Sequence, residues 1–219
     1  MSNDINPRQM SIVTTNKAVV ELMNKLKMAP PGQGSHLHRY NEDTATGGKQ
    51  GKSLIGINLV DYASSPSIFV QDNLEPSQVK ELYNEAIMKR NNYTFSGRGQ
   101  KIFGEPDKDG FSFVRVLRIS RQGSFKQGDR VVTKTYPWKI AIENGRGIKI
   151  KTKTGGTACK EGSYKKEKYA EINLSDGDFF ALLDQAYTYL IAWENYVAHS
   201  FIRANEEKIY QMEEQWRQR

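Results

Sequence analysis

Cysteine is nearly absent: Cys159 is the single one in 219 residues. No intramolecular disulfide can form, which sets the expectation of a reducing compartment. No apolar run reaches the length of a membrane span. The polar first residues, Met1–Gln9, contain no apolar core of a secretory signal. Together these absences predict a soluble, cytoplasmic protein with no membrane partner. Histidine is scarce too, with only His36, His38 and His199. His36-x-His38 offers two potential metal ligands, but no cysteine lies near them, so no metal or other cofactor is expected. The apolar fraction is 37%, low enough that part of the chain should sit outside a packed core.

Catalytic patterns are equally lacking. Gly51-Lys52-Ser53 has the ending of a phosphate-binding loop, but Thr46 stands where that loop needs its first glycine. Asp107-x-Asp109-Gly110 has the opening of a calcium loop, but Phe111-Ser112-Phe113 follows where further ligands belong. Glu105, Asp107 and Asp109 raise the alternative of a metal-dependent nuclease, yet Phe111–Arg121 contains no acid to complete it. Cys159 sits in a Gly-rich stretch with no base beside it. The expectation is a protein without catalytic residues.

What the sequence does have is positive charge, unevenly placed. The formal net charge is +7 and the isoelectric point about 9.3. Phe95–Tyr169 holds 18 basic against 7 acidic residues, a balance of +11, whereas the remainder holds 14 against 18. A basic segment between mildly acidic flanks is the footprint of a phosphate-binding face.

The periodicity divides the chain into three. Residues 1–52 read as an N-terminal helix and a flexible linker. In Asn16–Met28, Val19, Leu22, Met23 and Leu26 share a helical face, stopped by Pro30-Pro31-Gly32. Pro30–Lys52 is polar and Gly-rich. Residues 53–200 read as an α+β domain: strands at Ser53–Tyr62 and Ile68–Val70, a helix from Pro76 to Lys89, then β-periodic segments from Tyr93 to Leu174. Asp107–Gly110 and Asn144-Gly145-Arg146-Gly147 have turn composition. The second predicts a hairpin of Trp138–Glu143 with Ile148–Lys153. Ser175-x-x-Asp178 opens a long final helix, and residues 201–219 read as its protruding tail. No internal repeat of fixed period is present. The fold expected is one curved antiparallel sheet packed by helices.

Alternation places Lys149, Lys151 and Lys153 in one row and Arg130, Lys134 and Tyr136 in another. Arg115, Arg118, Lys139, Arg146, Lys165, Lys166 and Lys168 complete the candidate phosphate contacts. Tyr136, Trp138, Tyr164 and Tyr169 are the candidate stacking rings. Single strands are held by charge along the backbone and aromatic faces under the bases. Two other readings remain: a solvated basic sheet that merely protects its edge, and a basic face that docks on an acidic protein.

The strand Phe111–Arg121, the strand Trp138–Glu143, and Lys165-Lys166-x-Lys168-Tyr169 running through Ile172-Asn173-Leu174-Ser175 into Phe179-Phe180-x-Leu182-Leu183 resemble the positive-cofactor fold that binds single-stranded DNA, over about residues 111–185. Thr152–Tyr164 is a longer loop than that fold has. The presence of strands before both Pro76 and Ser175 resembles the Whirly-type relative, which repeats a sheet-then-helix unit. The resemblance implies non-catalytic binding of single-stranded nucleic acid, DNA rather than RNA. It further implies dimerisation through the final helix, and a place in replication, recombination or transfer of a phage or other mobile element.

Overall fold

The computed structural model describes residues 6–28, 36–41, 50–95, 97, 99–153 and 155–218. The chain is α+β, with mostly antiparallel strands and, among the described residues, two helices. Where one sheet was expected, the described residues form two main sheets, each followed by a helix. Strands β1 (Gln9–Thr14), β2 (Ala18–Lys25), β5 (Leu54–Asp61) and β6 (Ile68–Leu74) form the first sheet in chain order, and α1 (Pro76–Met88) follows it. In the second, β15 (Lys165–Leu174), β12 (Trp138–Gly147) and β9 (Ser112–Gln122) lie side by side. Along the free edge of β9, β7 (Asn92–Thr94) pairs with one half and β8 (Gln100–Phe103) with the other. Helix α2 (Asp176–Arg217) follows. The sheet-then-helix order thus occurs twice. Among the described residues, neither sheet closes into a barrel.

Three two-stranded ribbons are inserted between sheet strands: β3 (Arg39–Asn41) with β4 (Gln50–Lys52), β10 (Ser124–Gln127) with β11 (Arg130–Thr133), and β13 (Lys149–Lys151) with β14 (Thr157–Cys159). The last two leave the second sheet at opposite ends, because one precedes β12 and the other follows it.

Residues 16–28 are not helical. Ala18, Val20 and Leu22 are buried in alternation along β2 and pack against Ile55, Ile57 and Leu59 of β5. The same apolar residues satisfy a 3.6 and a 2.0 period over so short a span, and adjacent valines favour the strand. Parts of the expected linker, 29–35 and 42–49, lie outside the described residues, as does the helix stop at Pro30–Gly32. The boundary expected at residue 52 falls between strands of one sheet.

Asn144–Gly147 is not a turn. It is the end of β12, hydrogen-bonded on both sides to β9 and β15, with a register shift between Asn144 and Gly145. A Cβ on Gly145 would lie 2.2 Å from the Lys165 carbonyl oxygen, so the glycine permits close strand approach. The expected hairpin with Ile148–Lys153 therefore does not form. β13 pairs with β14 instead, and Ile148 and Ile150 are exposed, not core. The Asp107–Gly110 turn does form, with the Asp107 carboxylate accepting from the backbone N–H of Asp109 and Phe111.

One core joins the two sheets and both helices. From the second sheet come Leu117, Ile119, Ile140, Ile142, Ile172 and Leu174. Helix α2 contributes Phe179, Leu182, Leu183, Ala186 and Leu190. Each buried Leu, Ile or Phe side chain contributes about 1.5–3 kcal/mol. The expected cap holds: the Ser175 hydroxyl accepts from the Asp178 backbone N–H at 3.1 Å, and the Asp178 carboxylate reaches back.

Candidate nucleic-acid interface

The pleat of the second sheet sorts the candidate residues onto two faces. Residues opposite one another in register share a face. On the outer face, Ser120, Lys139 and Asn173 form one row, Arg118, Ala141 and Glu171 the next, and Val116, Glu143 and Tyr169 a third. Arg118, Lys139, Lys166 and Tyr169 border a shallow depression of about 320 Å³.

This outer face is largely charge-balanced. Arg118 pairs with Glu143, and Lys139 with Glu171 at 2.6 Å. The Tyr164 hydroxyl donates to Glu143 at 3.2 Å, and Tyr169 donates to Glu171. Burial, then the Glu143 carboxylate, pushes the Tyr164 phenol up to about 12, so it stays a donor. The Glu171 hydrogen bond holds the Lys139 ammonium above its usual range. The sequence marks Arg118, Lys139, Tyr164 and Tyr169 as separate candidates, but shows neither their common face nor the acids that occupy them.

The inner face is covered by the core only toward α2. Its other end is open and carries a different row. Phe103, Phe113, Arg146 and Lys165 face one another across β8, β9, β12 and β15. Phe103 is 39% exposed and Phe113 38%. Half-buried Arg115 lies against both rings, 5.4 Å from the Phe103 centroid and 5.2 Å from that of Phe113. Beside the row, Lys165 sits 4.4 Å from the centroid of Phe111 and Arg146 5.9 Å. Desolvation lowers the Arg115 pKa, against an opposing attraction from buried Asp72. Asp72 is bound by Lys101 at 3.2 Å.

The β13–β14 ribbon packs its Cys159 on Ile102, Val114 and Val116 of the outer face and meets the end of this row through Lys149. Lys149 donates to the Gly104 carbonyl at 2.6 Å, next to Phe103. Lys151 and Lys153 are exposed, as are Lys126 and Arg130 on the β10–β11 ribbon and Lys168 on β15. None of these five carries an ion pair among the described residues. Lys153 lies in the turn after β13, so the expected row of three lysines is a ribbon edge and its bend. Lys134 donates to Gln122 and lies 5.8 Å from the Phe125 centroid. Arg146 pairs with Glu167 and, at 3.4 Å, with Asp107. The Phe111 backbone N–H, first among several donors, holds Asp107 below the usual carboxylate range.

One aromatic expectation is corrected. Trp138 is 0% exposed. It stacks on Phe179 with centroids 3.7 Å apart and donates its indole N–H to Asp176 at 2.8 Å, so no base can reach it. Tyr136 is exposed but borders a separate cleft with Thr14–Ala18 and Asp178. Phe103, Phe111 and Phe113 were not among the stacking candidates. The signal was the alternation Phe111-x-Phe113-x-Arg115, which puts two rings and a cation on one side of the chain.

His36 and His38 hold no metal-ligand set. His38 bonds to Glu194 of α2 at 2.9 Å and stacks on Trp193. Among the described residues, no group of three or more potential ligands comes together, and no helix is long and apolar enough to cross a membrane.

No protein-family model and no curated protein matches the sequence. Among solved structures, the plant transcriptional regulator PBF-2 is similar with a TM-score of 0.44 at 10% identity, over 85% of this chain and 92% of that one. Likeness at that level carries no argument about the site.

Proposed function

We propose that the protein binds single-stranded nucleic acid, without catalysis, on the open end of the inner face of its second sheet. One observation carries the reading: Phe103, Phe113, Arg146 and Lys165 stand in register across four strands, with Arg115 and Phe111 against them. Aromatic rings supply stacking for unpaired bases, and guanidinium and ammonium groups take the phosphates between them. Lys149, Lys151 and Lys153 on the adjacent ribbon extend the positive path. The ion pairs of Arg146 are exposed and weakly held, so a phosphate displaces Glu167 or Asp107 at small cost.

The preference for DNA over RNA, and a role in replication, recombination or transfer of a mobile element, rest on the sequence resemblance. Cytoplasmic location and self-association through α2 belong to the same proposal. A basic face docking on an acidic protein is the competing reading. Stacking rings distinguish the two. A labelled oligonucleotide should bind as a single strand and lose affinity several-fold as a blunt duplex, whose bases are closed to stacking. Equal affinity for heparin and oligonucleotide would favour a charge-only face.

A further inference from the structure

The aromatic row stops at β8. Among the described residues β8 pairs with β9 alone, so its other edge is free. A cleft of about 500 Å³ runs along that edge. Lys101 and Phe103 line it from β8. Facing them are Lys52 at the end of β4, Asn73 near the end of β6, and Glu75 and Gln78 at the start of α1. A nucleic-acid strand crossing β15, β12, β9 and β8 in order leaves the sheet here and meets this wall.

We infer that the cleft holds the end of the bound strand and takes its terminal phosphate, an assignment that rests on single-strand binding along the row. The groups in the cleft are mostly donors. The Asn73 side-chain oxygen accepts from Lys25 at 2.9 Å, and the Gln78 side-chain oxygen accepts from the Glu75 backbone N–H at 2.9 Å. Each amide is thereby turned so that its N–H groups are left for a ligand. Lys101 is bound to Asp72 at 3.2 Å and to the Asn73 carbonyl at 2.6 Å, and Lys52 to Glu75 at 3.1 Å. Arg115 is the cross-strand neighbour of Lys101, and its buried Nε has no hydrogen-bond partner among the described residues. Four cations, Lys25, Lys52, Lys101 and Arg115, thus gather around two acids, Asp72 and Glu75. Burial, then repulsion from Arg115, lowers the Lys25 pKa, and an added anion relieves that crowding. The cleft also opens onto the first turn of α1, where the helix dipole favours negative charge. A phosphate inside a strand carries one negative charge, whereas a terminal one carries about two and three acceptor oxygens. The end of a strand therefore suits these donors better than its middle.

Anisotropy of a short oligonucleotide labelled at an internal base tests this on the full chain. One sequence is compared in four forms: both ends hydroxyl, 5′-phosphate, 3′-phosphate, and closed into a circle. One of the two phosphorylated strands should bind at least about tenfold more tightly than the hydroxyl strand, and which one it is gives the direction of the strand on the sheet. The circle should bind no more tightly than the hydroxyl strand. Lys52 is exposed and can be changed without opening the core. Lys52→Gln should lower the ratio of phosphorylated to hydroxyl affinity several-fold, whereas Lys126→Gln on the β10–β11 ribbon should leave that ratio unchanged. Equal affinity for the hydroxyl and both phosphorylated strands would overturn the terminal site and leave the row standing, as would a circle that matches the phosphorylated strand. A ratio that Lys52→Gln leaves intact would also overturn it. If no form binds at low salt, the row itself is wrong and the terminal site falls with it.

Discussion

The side-chain amide of Asn144 pairs with the main chain of Gln71 as a neighbouring strand would. The Gln71 N–H donates to Asn144 Oδ1 at 3.0 Å, and Asn144 Nδ2 donates to the Gln71 carbonyl at 2.9 Å. This bond joins the two sheets beside Arg115, at the boundary where core gives way to the open aromatic row. Replacing it leaves two backbone groups without partners in a buried place. Asn144→Leu should therefore lower stability by about 2–4 kcal/mol, read from urea unfolding midpoints. A loss no larger than that of an exposed substitution would remove the bond's structural role.

The exposed rings should matter for affinity but not for the fold. Phe103→Ala and Phe113→Ala should each weaken single-strand binding by about 1–3 kcal/mol, the worth of one stacked base. Trp138→Phe should cost stability and leave affinity unchanged. Fluorescence anisotropy of a labelled oligonucleotide separates the two. If Trp138→Phe abolished binding in a folded protein while the Phe103 variant bound normally, the row would be the wrong surface.

The two faces of the sheet make opposite forecasts. Arg118 and Lys139 are already paired with Glu143 and Glu171, on the side away from the row. Arg118→Gln with Lys139→Gln should change affinity less than about twofold, in keeping with exposed ion pairs. Arg146→Gln with Lys165→Gln should reduce it at least about tenfold, as expected for lost charge-assisted contacts. Reversed effects would move the interface to the outer face.

Much of this architecture was legible from residue types alone. Pro76 and Ser175 announce both helix starts because a helix N-terminus needs them chemically. The β segment and its charge were also plain. Period alone could not decide Ala18–Lys25, where helix and strand templates both fit, and only pairing with β5 does. Asn144-Gly145 has the composition of a turn because its composition reflects two needs that a turn shares: an amide that bonds to backbone, and a residue without Cβ. The position of Trp138 and the paired state of Arg118 and Lys139 depend on residues more than twenty positions away, which local pattern does not encode. Arg146, Lys149 and Lys165 were identified as cations, but their convergence on Phe103 and Phe111 required the register.

Acid should loosen the α2 start. Asp176 accepts from Arg121 Nε at 2.9 Å and Nη2 at 3.0 Å, and these bonds, with burial opposing them, hold its carboxyl below its ordinary value. The folded value lies below the unfolded one of about 3.9. Its stabilisation is thus full above that value and lost as pH falls through the folded value. The stability gap between wild type and Asp176→Asn should be widest above about pH 5 and narrow below about pH 4. A gap independent of pH would mean that ionisation of Asp176 contributes nothing.

The most direct test of the account is the salt dependence of single-strand affinity. Neutralising about five phosphates gives a log–log slope near −3.5, at about −0.7 each. Changing Lys149, Lys151 and Lys153 together to Ala should flatten that slope by about 2 while the protein remains folded. Absence of binding at low salt, or a slope and affinity that the triple change leaves intact, would contradict the central claim.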